Sequence, residues 1–510
     1  MNRKILVMKN STMGLLSQGL TVFFTFLTRS LFVQHIGLEL LSINSTFASV
    51  LDAISLAELG FHSAIIFSLY KPLHDQDESA ISDIMNILKV VYRGIGLLFL
   101  VAAILVLPFL KYILKGVLLS PVVYIYFLLQ AGASTCSYFF AYKRALLLAD
   151  QKEYIAKSFD LVVNVLFNML QCILLWIFKN YFVYLGLKWL QVLISNLVVH
   201  SYCTKRYAYL RNAAFNTEKF RGIWSNVKDI FAGKIAGYIY GSTDNLVVST
   251  FVSTLSVGYL VNYTTITKSM TVVCLSILQP IAPIIGSYLV ENKGSTKREK
   301  LFLLYTHARY LLTLAIVVPI MVLIDDFIVL WLGKNMVMPG MITVLLAVDF
   351  YISLVHSATL DFINGEGLFR KSRTVEIMGA IINIVTSVFL VHLMGVAGVL
   401  LGTVISQLYF WAGRTHIVYK YCIKSTRKEF IRYWLKNVLY GIGFVADFFL
   451  CEMIYRHLEI SNAVVKFVAG GLVCEIVLLF FSLVLLSFFQ EQKMLNQYVI
   501  SILRNKMAND

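Results

Sequence analysis

Charge is scarce in this 510-residue chain: Asp, Glu, Lys and Arg make up 14% of it, where a soluble domain carries roughly 25%. No polar stretch is longer than a loop, the longest running from Lys205 to Lys228, so nothing is left over to fold as a separate water-soluble domain. Seven cysteines (Cys136, Cys172, Cys203, Cys274, Cys422, Cys451 and Cys474) show neither CxxC nor Cys/His spacing. That excludes a zinc site of ordinary spacing and a disulfide framework, and most of these thiols fall in apolar runs where they pack as small hydrophobes. Walker A and HExxH sequences are missing, and Gly365-Glu-Gly367 alone is too short for a nucleotide loop. Asn10-Ser-Thr and Asn44-Ser-Thr match a glycosylation sequon but sit at the ends of apolar runs and are set aside. Neither a metal site nor enzyme chemistry is legible.

What is present is hydrophobic sequence, 58% of the chain. Apolar runs of 18 or more residues recur throughout, each long enough to cross about 30 Å of hydrocarbon as a helix. They are far longer than barrel strands and lack strict alternation, which leaves an all-α polytopic membrane protein. The expected spans are Ser11 to His35, Ile43 to Leu69, Ile84 to Phe109, Pro121 to Tyr142, Tyr154 to Phe178, Phe182 to Cys203 and Asp229 to Val252. The second set is Val257 to Val290, Phe302 to Ile324, Met341 to Ile363, Val375 to His392, Val396 to Tyr419, Tyr433 to Tyr455 and Val464 to Phe489. That is about fourteen helices. Residues 1–9 are basic and lead into the first run as in a signal peptide, but no small-residue cleavage site follows, so a retained helix is expected.

The net charge of +16 would suit nucleic acid if it formed a patch. Instead the cations sit in short loops between apolar runs, which points to topology and to no nucleic-acid partner. Of the 44 Lys and Arg, 33 fall in residues 3–9, 71–93, 143–157, 205–228, 293–300, 370–373, 414–436 and 493–506. These are alternate loops, and positive loops stay inside, so both termini are expected in the cytoplasm. The divisions expected are 1–203 (six helices), a basic linker 204–228, 229–420 (six helices) and 421–510 (two helices and a tail). Setting 35–44 beside 253–262 aligns Asn44 with Asn262, the kind of internal match that two similar bundles around a shared site leave behind.

Lys111, Lys115, Lys179, Lys188, Lys334, Arg456 and Lys466 fall in outer loops and helix ends, which leaves four cations within the spans: Arg29, Lys234, Lys268 and Arg309. Each costs about 2.5–3.5 kcal/mol at a helix centre on insertion scales and needs a partner or a wet cavity. At 1.5 Å per residue, Lys234 lies roughly 8 Å from the cytoplasmic end of its helix, Lys268 roughly 16 Å and Arg29 roughly 9 Å from the outer surface. Together they are expected to form a substrate-binding ladder, with snorkelling to the interface as the alternative for Arg309 and Lys234. Asp52, Glu58 and His62 fall on one stripe of the second predicted helix, and Asp244 is comparable on the seventh. They are expected either to bind a coupling cation or to neutralise Arg29; Asp349, His356 and Asp361 are weaker candidates. Gly233, Gly237 and Gly241 make a smooth ridge for helix packing, and Pro280 and Pro283 place a kink or hinge in the eighth helix. With no nucleotide site, energy must come from an ion gradient, the membrane potential or the supply of substrate. The only cofactor this allows is a coupling H+ or Na+.

Gly37-Leu-Glu-Leu-Leu-Ser-Ile-Asn-Ser-Thr-Phe47 and Ser55-Leu-Ala-Glu-Leu-Gly-Phe-His-Ser-Ala-Ile65 resemble the polysaccharide flippases of the multidrug/oligosaccharidyl-lipid/polysaccharide exporter (MOP) superfamily. Val257-Gly-Tyr-Leu-Val-Asn-Tyr263 and Pro283-Ile-Ile-Gly286 are similar to the second half of the same family. The resemblance implies two six-helix lobes in a V, two further C-terminal helices and a central cavity opening alternately to each side. It implies a bacterial plasma membrane setting and a polyprenyl-pyrophosphate-linked oligosaccharide as cargo, for O-antigen, capsule or exopolysaccharide. A polysaccharide polymerase and glycosyltransferases are then expected partners beside the lipid bilayer. The family motifs do not fix individual binding residues. An ion-coupled multidrug antiporter of the same superfamily is the alternative, with the acidic stripe as its site. A membrane glycan polymerase or transferase is disfavoured by the short outer segments Lys179 to Tyr181 and Asp325 to Pro339.

Overall fold

The computed structural model describes residues 3–55, 61–210, 220, 243–278, 281–484 and 486–497. The described residues are helical and contain no strand. Eleven of the helical stretches are long and apolar enough to cross a membrane. Their outward faces carry Trp176, Phe389, Phe480 and Ile442, each more than 60% exposed. In water so much exposed apolar surface would be a liability; against lipid tails it is the ordinary solvent-facing surface.

The chain divides into two compact units, Met1–Gly258 and Tyr259–Asp510. The first unit holds α1 (Arg3–His35), α2 (Leu38–Ile54), α3 (Phe61–Asp75), α4 (Glu78–Val106), the single turn α5 (Leu110–Ile113), α6 (Pro121–Ala149), α7 (Glu153–Phe178) and α8 (Tyr181–Arg206). Its helix starts follow from local chemistry. Asp77 accepts a hydrogen bond from the Ala80 backbone N–H at 2.9 Å, and Asn180 accepts one from Phe182 at 2.8 Å, each satisfying a donor that the first turn leaves open. Pro121 opens α6, where a missing N–H costs nothing. The core gathers Phe47, Leu88, Tyr92, Phe127, Ala131 and Ala145, all fully buried. Residues 243–258 also pack on this unit: the Ser249 hydroxyl donates to the Ile113 carbonyl at 2.7 Å and the Thr254 N–H to the Lys115 carbonyl at 3.0 Å. α8 takes in residues 204–206 of the linker expected at 204–228; residues 211–219 and 221–242, with Lys234, Gly233, Gly237 and Gly241 of the seventh predicted helix, lie outside the described residues.

From Thr254 the chain continues as α9 (Thr254–Leu278), α10 (Ile281–Glu291), α11 (Ser295–Leu332), α12 (Gly340–Gly365), α13 (Phe369–Met394), α14 (Val396–Ile417), α15 (Arg427–Arg456) and α16 (Ala463–Val484). The single helix predicted from Val257 to Val290 is thus two; Pro280 lies outside the described residues, and Pro283 sits in the first turn of α10. The core of the second unit centres on Phe302, which stacks on Tyr433 with ring centroids 5.2 Å apart and meets Phe362 edge-on at 4.9 Å. Thr426 and Glu429 form a capping box at the start of α15.

The closest backbone approach is the hairpin of α13 and α14. Gly395, at φ 57°, turns the chain between them. A Cβ on Gly398 would lie 2.1 Å from the Leu390 carbonyl oxygen, and one on Gly402 would lie 2.5 Å from the Ser387 hydroxyl. Four-residue spacing of small residues lets two helices touch along their backbones, which is how helices associate when the surrounding lipid removes any hydrophobic advantage. Replacing Gly402 by Val therefore forces these helices apart. The variant is expected to lose about 1–3 kcal/mol of stability, read as a lower melting temperature in detergent, whereas Gly441→Ala, where nothing lies within 4 Å, leaves it unchanged or slightly raised.

Candidate functional site

An otherwise apolar α7 carries a polar stripe of Asp160, Asn164, Asn168 and Gln171, spaced to lie on one helix face. On α8 the facing residues are Tyr184, Lys188, Gln191, Ser195 and Asn196, and on α1 they are Thr21, Thr25, Thr28 and Arg29. These three faces, with Asn44 of α2 and Ser137 and Arg144 of α6, enclose a cavity of about 650 Å3 within the first unit. Buried amides and hydroxyls must find partners, and here they bond in series. Gln171 donates to Gln191 at 3.2 Å, Gln191 donates to Asn164 at 2.9 Å, and Tyr181 donates to Asn44 at 2.9 Å.

Arg144 is held by every arm of its guanidinium. Nη1 and Nη2 donate to the two Asp160 carboxylate oxygens at 2.6 and 2.8 Å, Nη2 also to Ser195 at 2.9 Å, and Nε to Asn196 at 3.1 Å. The Ser195 hydroxyl donates a short hydrogen bond to Asp160. This bidentate geometry is the strong form of an ion pair, and it leaves the local charge near zero. The same cavity is lined by Arg29 and Lys188, and Asp160 is its one carboxylate. The lining therefore carries two positive charges in excess.

A second cavity of about 260 Å3 adjoins it, sharing Asn44, Ser137, Lys188 and Val192. Asp52 lines this one. Lys188 thus stands between the arginine-bearing cavity and the predicted acid.

Of the cations expected in the spans, Arg29 lies in the large cavity and Lys268 is exposed near the middle of α9. Arg309 is closed into helix packing. Its side chain is 2% exposed and donates to Asp361 at 2.6 Å, Tyr305 at 2.8 Å, Ser357 at 2.7 Å and the Leu354 carbonyl at 3.1 Å, tying α11 to α12. The expectation of a substrate role or of snorkelling gives way because each nitrogen already has an internal acceptor. The acidic stripe also needs correction: it assumed one helix from Ile43 to Leu69, but α2 ends at Ile54, where the Ser55 hydroxyl takes the Asp52 carbonyl at 2.7 Å. Asp52 and His62 therefore belong to different helices. Glu58 lies outside the described residues. Asp244 is half-buried in the helical segment 243–252 and is not among the residues lining the cavity. His356 is buried between Gln407 (2.6 Å) and Arg414 (3.3 Å), and Arg414 forms a bidentate pair with Glu376 at 2.6 and 2.8 Å.

Arg144, Asp160 and Lys188 are the site residues that sequence reasoning missed. Arg144 had been assigned to a loop, but α6 runs on to Ala149. Lys188 had been assigned to a helix end, yet it lies about 10 Å along α8 at 1.5 Å per residue. The signal available was the polar spacing on α7.

No protein-family model matches the sequence, and no curated protein matches it. Among solved structures, the lipid II flippase MurJ in an inward closed conformation superposes with TM-score 0.67 at 14% identity, covering 92% of this chain and 97% of that one. A multidrug resistance MATE family transporter of the MOP superfamily, inward-facing, gives 0.61 at 17%, covering 80% and 96%. An outward-facing structure described in the same words gives 0.52 at 18%, covering 81% and 95%.

If the Arg144–Asp160 pair organises this cavity, neutralising one member strands the other. Arg144→Gln and Asp160→Asn are each expected to cost about 2 kcal/mol, below the roughly 3–5 kcal/mol of a fully buried pair because some exposure remains. The double variant is expected to recover part of that loss in a double-mutant cycle of thermal stability; strictly additive losses would show that the two groups do not act as a pair. By its helices and their order, this chain has the fold of the MOP-superfamily transporters.

Proposed function

We propose that the chain is a flippase that moves a polyprenyl-pyrophosphate-linked oligosaccharide from the cytoplasmic to the outer face of a bacterial plasma membrane by alternating access. The observation that carries this reading is the charge balance of the first-unit cavity: Arg29 and Lys188 stand beyond the neutralised Arg144–Asp160 pair. A pyrophosphate diester carries two negative charges, matching the two cations in excess. In a site screened from bulk water such attraction is far stronger than at a surface, and donors from Arg and Lys to phosphoryl oxygens are charge-assisted. The amide and hydroxyl stripe beside them suits sugar hydroxyls, while the polyprenyl tail stays in lipid. Lys268, exposed mid-helix on α9, needs water or an anion at that depth. The two kinds of transporter that share the fold are named for a lipid-linked substrate and for multidrug resistance. A cationic drug would be repelled by the excess positive charge, which favours the first kind. A coupling H+ or Na+ is assigned to Asp52, which faces the smaller cavity beside Lys188. Glycosyltransferases would supply the cargo and a polymerase would take it up.

Arg29→Gln and Lys188→Gln are each expected to cut glycan export at least tenfold at equal protein abundance, since losing a charge-assisted bond costs about 1.5–3 kcal/mol. A deletion strain should accumulate lipid-linked repeat units on the cytoplasmic face. Wild-type export by both variants would reject the cavity as the cargo site, and drug efflux with no glycan defect in the deletion strain would favour the antiporter. A reporter fused after Asp510 should be active only in the cytoplasm; an outer-face signal would overturn the topology.

A further inference from the structure

The first unit contains another basic cavity, which shares α6 and α8 with the larger one and adds α4. It measures about 280 Å3 and is framed by the start of α4 and the ends of α6 and α8. This is the end of the unit that the loop charges assign to the cytoplasm. Its lining includes Lys89, Lys143, His200 and Thr204 and no carboxylate. Lys143 is 8% exposed, yet the partners of its ammonium are both neutral: His200 Nε2 at 3.1 Å and, by a short hydrogen bond, the Thr204 hydroxyl. A buried cation ordinarily has an anionic partner.

The hydrogen bonds fix the histidine as well. An ammonium has only donors, so Nε2 accepts and the ring proton of the neutral imidazole sits on Nδ1. That Nδ1–H is buried and has no acceptor among the described residues. The cavity thus presents a buried ammonium and a second lysine beside a neutral imidazole, with no carboxylate among its described lining residues. At roughly 30 Å3 per water, the space holds a phosphoryl group together with several waters.

We propose that this cavity is a second anion site, one that binds a phosphoryl group, held by Lys143, which His200 and Thr204 position, with Lys89 in the same lining. Such a group reaches this end of the unit either as a free phosphate or as the headgroup of an anionic lipid. Either occupant would clamp the start of α4 to the ends of α6 and α8.

The test uses the purified full chain carrying Arg29→Gln and Lys188→Gln, so that the cargo cavity contributes no signal. Inorganic pyrophosphate is titrated by calorimetry, and retention of phosphatidylglycerol against phosphatidylcholine is read by native mass spectrometry from mixed nanodiscs. At least one probe is expected to bind, with Lys143→Gln weakening it at least tenfold and Lys89→Gln acting in the same direction. Pyrophosphate binding alone identifies a free phosphate as occupant, and selective phosphatidylglycerol retention alone identifies a lipid headgroup. Should Lys143→Gln fail to fold, Lys89→Gln carries the test. Failure of both probes to bind, or binding that the lysine substitutions leave intact, overturns the proposal. Loss of glycan export in Arg29→Gln bears only on the cargo cavity, so the two readings fail separately.

Discussion

The arrangement of this molecule depends on the cost of holding a cation away from water. Every positive group that enters a span must be answered by an internal acceptor or by a polar chamber, and the chain uses both answers. Arg309 is answered by Asp361, Tyr305, Ser357 and a carbonyl, and Arg414 by Glu376. Both are structural ties. Arg29 and Lys188 line a cavity instead. A buried ion pair tends toward neutrality in energy and gains little stability, whereas excess charge in a chamber is stabilised when an anion arrives.

The two units consequently differ in what their polar residues do. In the second unit the polar groups of α11 to α14 bond to one another within closed packing, and the glycines of α14 draw α13 against it. In the first unit the amides of α7 and α8 bond along the wall of an open space. The carboxylate of Asp160 neutralises Arg144 and keeps that guanidinium in one orientation, while Arg29 and Lys188 line the same cavity. Asp52 lines the adjoining smaller cavity together with Lys188.

The helical architecture was legible because a 30 Å apolar slab demands long runs, and those runs survive any uncertainty at their ends. The site was legible only in part. Arg29 was found because it is a lone charge deep within an apolar run. Arg144 and Lys188 were missed because they sit within two or three turns of predicted helix ends, where sequence cannot separate a snorkelling cation from one that turns inward. Asp160 falls inside the predicted span Tyr154 to Phe178 with nothing to single it out by itself; only its register with Asn164, Asn168 and Gln171 marks the wall of a cavity. The stripe of Asp52, Glu58 and His62 erred in the opposite way, extending helical periodicity past Ile54, where α2 ends. Arg309 shows a further limit: depth reveals that a cation needs an answer, but whether that answer is Asp361 or a chamber depends on tertiary pairing.

The central claim is that Arg29 and Lys188 receive a pyrophosphate head. Its most direct test is equilibrium binding of a polyprenyl-pyrophosphate-linked sugar to the purified chain by native mass spectrometry, compared with the uncharged polyprenol. The account predicts retention of the pyrophosphate lipid over the alcohol, lost when both residues are replaced by Gln and weakened by salt where the cavity is open to solvent. Equal retention of the two lipids, or binding unchanged in the double variant, would contradict it.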